Sequence, residues 1–121
     1  MDRDLNNRLF NFAIEVIIFL RTIRNNQETS VIKYQLTKAS TSFGANYEEA
    51  QVASSKADFI NKVNISLKEM RESNYWLRVI KATGINKSEK CNDFINESTE
   101  LKKILASICK NSRGKLCYST F

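Results

Sequence analysis

Histidine and proline are absent from the 121-residue chain, and glycine occurs only three times. Without imidazole there is no histidine general base, no Ser-His-Asp or Cys-His nucleophile pair, and no metal site of the kind that needs a histidine ligand. The shortage of proline and glycine removes most of the turn chemistry that a many-stranded sandwich or barrel requires, so long helices and few loops are expected. Cys91, Cys109 and Cys117 are odd in number and show no CxxC spacing, which points to neither a disulfide framework nor a zinc site and fits a reducing cytoplasm. The opening Met1-Asp2-Arg3-Asp4 has no basic run followed by an apolar segment and a cleavage site. The longest uninterrupted apolar run, Val16 to Leu20, is far too short to span a bilayer. A cytoplasmic protein with no membrane contact is expected.

What the chain does contain is enough for one core. Hydrophobic residues make up 42% and charged residues 26%, which excludes a disordered tail protein. At this length one modest core is feasible without metal or disulfide staples, and a second is not. Nineteen basic residues against thirteen acidic ones leave a formal charge of +6. That balance favours polyanions over acidic substrates.

Apolar periodicity marks four helical segments, roughly 4–25, 30–53, 56–83 and 88–112. Asn25-Asn26 with Thr29-Ser30 makes the first turn, Ser55 with Asp58 resembles a capping box, Gly84 suits the position after a helix C-terminus, and Asn86 or Ser88 can cap the last helix. Connections this short predict an all-α, up-down-up-down antiparallel four-helix bundle over 1–112, with a flexible tail over 113–121.

Placing residues at helical spacing shows which faces are greasy. The fourth helix has one apolar side, through Cys91, Phe94, Ser98, Leu101, Leu105 and Cys109. The second puts Ile32, Leu36, Ala39, Phe43, Tyr47 and Ala50 on a core stripe, beside a smooth strip of Thr37, Ser40 and Gly44. A mid-helix glycine costs about 1 kcal/mol relative to alanine, so a packing reason is expected at Gly44. The first helix carries two stripes: Leu5, Leu9, Phe12, Val16 and Phe19 fill one, and Phe10, Ile14, Ile17 and Ile18 form another. In the third, Val63, Leu67, Met70, Asn74 and Leu77 face the core while Ile65, Trp76, Val79 and Ile80 project from a different side, Trp76 being the sharpest clue. One core cannot hide both sets, and apolar patches of this kind mark association surfaces. A homo-oligomer built through helices one and three is therefore expected.

No Walker A, GxGxxG or GxSxG motif is present, and an enzyme is disfavoured. Glu15, Glu49, Glu69 and Glu72 could supply an oxygen-only carboxylate cluster, but ion pairing or solvation explains them better, and no metal or cofactor is expected. The hydroxyls of Ala39-Ser40-Thr41-Ser42 have no basic partner, so helix packing accounts for them. The remaining signal is charge. Lys68, Arg71 and Arg78 share a strip of the third helix with Tyr75, and Lys102, Lys103 and Lys110 form a second cluster on the fourth. Cations interleaved with an aromatic suit a phosphate backbone with a stacked base, and repetition around a symmetric oligomer would sum weak clusters into one basic surface. A protein-interaction scaffold without nucleic acid is the alternative.

The stretch from Gln35 to Ala50, QLTKASTSFGANYEEA, followed by Ser55-Lys56-Ala57-Asp58-Phe59-Ile60-Asn61-Lys62, Ser66-Leu67-Lys68-Glu69 and Glu72-Ser73-Asn74-Tyr75-Trp76-Leu77, resembles the four-helix-bundle proteins encoded within 23S ribosomal RNA intervening sequences. The resemblance covers helices two and three, and Phe12-Ala13 is compatible with it; the fourth helix carries no diagnostic residue. It implies a ring of five and a relationship to the accessory variability proteins of diversity-generating retroelements, which bind nucleic acid and a reverse transcriptase. It carries no catalytic residue onto this sequence.

Overall fold

A computed structural model describes residues 2–113, and side chains within 4–112. The tail expected over 113–121 lies outside the described residues apart from Arg113, which ends the last helix. Four helices are present, α1 (Asp2–Leu20), α2 (Gln27–Gln51), α3 (Lys56–Ala82) and α4 (Glu89–Arg113), with no strand among the described residues. None of these helices is long and apolar enough to cross a membrane.

The helix ends follow from local chemistry. Asn26 and Thr29 satisfy one another reciprocally at the start of α2: the Thr29 backbone N–H donates to Asn26 Oδ1 and the Asn26 N–H to Thr29 Oγ1, both at 2.9 Å. This box starts α2 three residues earlier than the periodicity indicates. Before it, α1 stops at Leu20 instead of running on to residue 25, because the Thr22 and Ile23 N–H groups turn back to Phe19 and Leu20 carbonyls and tighten the last turn. That turn tucks Ile23 into the core. Lys33 Nζ ties the connection down by donating to the Ile23 carbonyl and, at 2.8 Å, to Asn25 Oδ1. Ser55 caps α3 by accepting from the Asp58 N–H at 3.0 Å. Gly84 follows the α3 C-cap with φ of 80°, a left-handed conformation open to glycine. Ser88 Oγ accepts from the Cys91 N–H at the start of α4.

Successive helices pack together, α2 along α3 and α3 along α4 most extensively, while α1 and α4 close the bundle through a slighter approach and the diagonal pairs do not meet. Leu77 meets Cys91 and Asn74 meets Ser98, so α3 and α4 run antiparallel. Phe43, Phe12, Phe94 and Phe19 form a continuous chain of ring contacts at 5.8, 5.8 and 5.1 Å that joins α2, α1 and α4 through the core. Around it Leu9, Leu36, Met70, Leu77, Leu101 and Leu105 are fully buried. Small residues let the backbones close up: Ser66 Oγ donates to the Phe43 carbonyl at 2.7 Å across α2 and α3, and Gly44 lies against Leu9 of α1. A Cβ built on Gly44 would meet Leu9 Cβ at 3.7 Å, an ordinary contact, so packing within the subunit does not demand glycine there.

One expectation about buried faces is corrected. Ile80 is fully buried in the core and is not part of an outer surface. Trp76, Val79 and Ile65 are half-buried, and Trp76 and Val79 pack against the core. The cause is the central position of α3, which packs on both α2 and α4 and so buries a wider arc than one stripe. On α1 the double stripe has the opposite outcome: Phe10, Ile14 and Ile18 are 58, 40 and 53% exposed and form an i, i+4, i+8 ridge, with Ile17 half-buried beside it. Cys91 is a buried free thiol pushed up from the usual thiol value by burial.

Candidate nucleic-acid interface

Lys68, Arg71, Tyr75 and Arg78 recur at helical spacing, so α3 presents them along one face. The antiparallel fit of α4 brings Lys102 to the same place. Lys68, Arg71, Arg78 and Lys102 thus line one open cleft of about 590 Å³ together with Glu72, Asn74, Tyr75 and Trp76. Of the described residues that line it, four are cations and one is a carboxylate. Lys102 therefore belongs with the α3 strip and not with a separate α4 cluster. Lys103 lies outside the lining but close enough to act on Lys102, and Lys110 is exposed two turns further along α4, away from the cleft.

The cleft has a rigid floor. Asn74, only 3% exposed, points its amide nitrogen at Ser98 Oγ (2.8 Å) and Thr99 Oγ1 (3.2 Å) of α4. Its carbonyl oxygen is left to accept from Arg78 Nε at 2.9 Å. This fixes the plane of the Arg78 guanidinium and leaves its terminal nitrogens outside that bond. The same guanidinium sits 5.8 Å from the centre of the Tyr75 ring. Tyr75 meets Trp76 edge-on at 5.1 Å, and Trp76 Nε1 donates to Glu72 Oε2 at 3.4 Å. Asn74 was legible as a core-facing residue; its part in holding an arginine was not, because that depends on hydroxyls supplied by another helix.

Charge crowding shows in the ionisation. Lys102 is held below the ordinary lysine range, first by partial burial and then by Arg78, Arg71 and Lys103. Glu69, which does not line the cleft, is pushed above the usual carboxylate range by burial and by Glu72, against the opposing pull of Lys68 and Lys38. The site is thus a hollow in which cations predominate, with an aromatic at its rim.

Elsewhere the polar groups serve the fold. Arg8 donates from Nε and Nη2 to the two Glu97 carboxylate oxygens at 3.2 and 2.9 Å, and Lys90 pairs with Glu15 at 3.0 Å, so both ion pairs cross the α1–α4 seam. Glu15 is thereby committed away from Glu69 and Glu72, and among the described residues no three His, Cys, Asp or Glu side chains converge as a metal site would require. Ser40 and Thr41 hydroxyls donate to the Thr37 carbonyl of their own helix. The exposed ridge on α1 borders a groove of about 320 Å³ between α1 and α2, walled by Phe10, Ile14 and Ile17 and floored by the small residues Ala13, Gly44 and Ala45.

Comparison with known proteins agrees with this architecture. The family model of the 23S rRNA-intervening sequence protein matches residues 2–107. A protein of unknown function from the S23 ribosomal protein family of Bacteroides thetaiotaomicron VPI-5482 is similar in structure, with a TM-score of 0.80 and 39% identity over 88% of this chain and 98% of that one. No curated protein matches the chain. The match spans all four helices, including those that carry the basic cleft and the apolar ridge, and the chain belongs to the 23S rRNA-intervening sequence protein family.

Proposed function

We propose that this chain is a non-catalytic, self-associating protein that binds RNA or DNA through the α3–α4 cleft. The observation that carries the reading is the convergence of Lys68, Arg71, Arg78 and Lys102 on one hollow, with Lys102 kept charged-group-crowded by its neighbours. Such a cluster costs the free protein electrostatic energy that a phosphate backbone would relieve. Self-association rests on the Phe10–Ile14–Ile18 ridge, since leaving several large apolar side chains in water forfeits roughly 1.5–3 kcal/mol each. A ring of five is the form that the family resemblance implies, and it would multiply the cleft around an axis. Its partners under this reading are its own copies and a nucleic acid, with ribosomal RNA or a reverse-transcribing complex as the implied setting.

The test is equilibrium binding to a structured RNA across a salt series. Affinity should fall steeply as salt rises, because each neutralised phosphate releases counterions. Salt-independent binding, or none at low salt, refutes it. For assembly, Ile18→Glu should lower the mass seen by light scattering while leaving helix content intact. A wild-type chain that is already a single copy at micromolar concentration refutes that part. The exposed ridge also fits a scaffold that presents apolar surface to a protein; a defined partner retained after nuclease treatment, with no bound nucleic acid, would favour it.

A further inference from the structure

We propose that the α3–α4 cleft is a seat for an unpaired nucleotide, so that the protein selects single strands, loops and ends over duplex. The inference rests on the nucleic-acid reading above and specifies which form of nucleic acid the site accepts. Three observations on the same few residues support it.

The first is shape. The cations are gathered in a concavity of about 590 Å³, within the range of roughly 300–1,000 Å³ typical of sites that enclose a small ligand. A double helix presents its phosphates on a broad convex surface, and a hollow between two helices is a poor match to it. The second is Tyr75. It is 49% exposed at the rim of the hollow, amid the charged residues, and its ring is set by the edge-on contact with Trp76. A presented aromatic ring is of use to a base only when that base has left its stack, because paired bases keep their faces covered. The third is Arg78. Its Nε is spent on Asn74, which is itself anchored to Ser98 and Thr99, so the guanidinium is fixed before any ligand arrives. A fork held in one plane is suited to two oxygens of one phosphate, with Lys102 beside it on the other wall. Phosphate and base contacts then lie within one nucleotide's reach of each other.

The experiment measures binding of an unstructured oligouridine strand, an RNA duplex of the same length and uridine monophosphate to the full chain at one moderate salt concentration. The strand should bind at least tenfold more tightly than either of the others. Tyr75→Leu should weaken strand binding about tenfold, the scale of losing one base–aromatic stack. Arg78→Lys keeps the charge and should still weaken the strand about fivefold, because the fork and its Asn74 support are lost. Circular dichroism of both variants checks that helix content is retained; both positions are solvent-exposed. Duplex binding as tight as strand binding, or a Tyr75→Leu effect under twofold, overturns the single-strand seat while leaving nucleic-acid binding in place. Monophosphate binding as tight as the strand's overturns it in favour of a free-nucleotide site. Failure of strand and duplex alike at low salt removes the broader reading as well.

Discussion

Replacing Asn74 by leucine separates what the buried amide does for the fold from what it does for the cleft. Its two amide hydrogens serve Ser98 and Thr99, and its oxygen serves Arg78. At a net of about 1 kcal/mol per hydrogen bond, the substitution forfeits about 3 kcal/mol. No donor is stranded by it. Ser98 and Thr99 hydroxyls already donate to the Ile95 carbonyl at 3.0 and 2.8 Å, and Arg78 is exposed and returns to water. Burying a leucine side chain of similar size restores about 1.5–3 kcal/mol. The net loss is therefore between about 0 and 1.5 kcal/mol, and the melting temperature should drop by less than about 6 °C. Ligand binding responds differently. An arginine freed from its support must be ordered on binding, at about 0.5–1.5 kcal/mol, so affinity for a single-stranded polyanion should weaken by about two- to tenfold. The salt dependence should stay the same, because no charge has been removed. Thermal melts followed by circular dichroism, with fluorescence anisotropy on the same samples, read both effects. A stability loss above about 3 kcal/mol would make Asn74 a pillar of the fold. Unchanged affinity would show that Arg78 needs no support.

Two further outcomes follow from the same packing and charge. Gly44→Ala should raise subunit stability by about 1 kcal/mol, since the added methyl meets Leu9 only at ordinary contact distance and helix propensity improves; a melt that falls instead would show that the glycine is required by packing. Lys102, held below the ordinary lysine value, binds fewer protons when folded than when unfolded in the window between the two values, so the empty protein should gain stability as pH rises through that window. A bound polyanion reverses the balance by restoring the proton, so affinity should fall over the same alkaline window; side-chain NMR titration of Lys102 with and without an oligonucleotide checks both signs, and an unchanged titration on binding would place the ligand elsewhere.

Helix number, and the ends of α3 and α4, were legible in the sequence because caps are local: Ser55 with Asp58 needs no distant partner, whereas Asn26 with Thr29 reads as a turn and instead caps α2 three residues early. The α1 ridge was legible for a related reason. A helix at the margin buries one stripe, so a second stripe through Phe10, Ile14 and Ile18 has to be exposed. That logic failed on α3, where two neighbouring helices cover more of the circumference and take in Ile80 entirely and Trp76 in part. The cleft was half legible. Spacing along one helix groups Lys68, Arg71, Tyr75 and Arg78, but the arrival of Lys102, the departure of Lys110 and the bracing of Arg78 through Asn74 depend on how α4 is set against α3. Register between helices is a property of the whole core, and no single segment encodes it.

The scant approach of α1 to α4 gives the molecule an unequal mechanical build. α2, α3 and α4 make a block in which α3 packs along both of the others, and α1 is fastened along one flank, with ring contacts and partly exposed ion pairs across the other. Pairs of that kind hold weakly in salt water. α1 is consequently the element that can lift away at least cost, and its amides should trade hydrogen for deuterium sooner than those of α3. The helix that bears the greasy ridge is thus also the one best able to adjust its pose when another molecule meets it, while the braced arginine on the opposite pair of helices stays where it was.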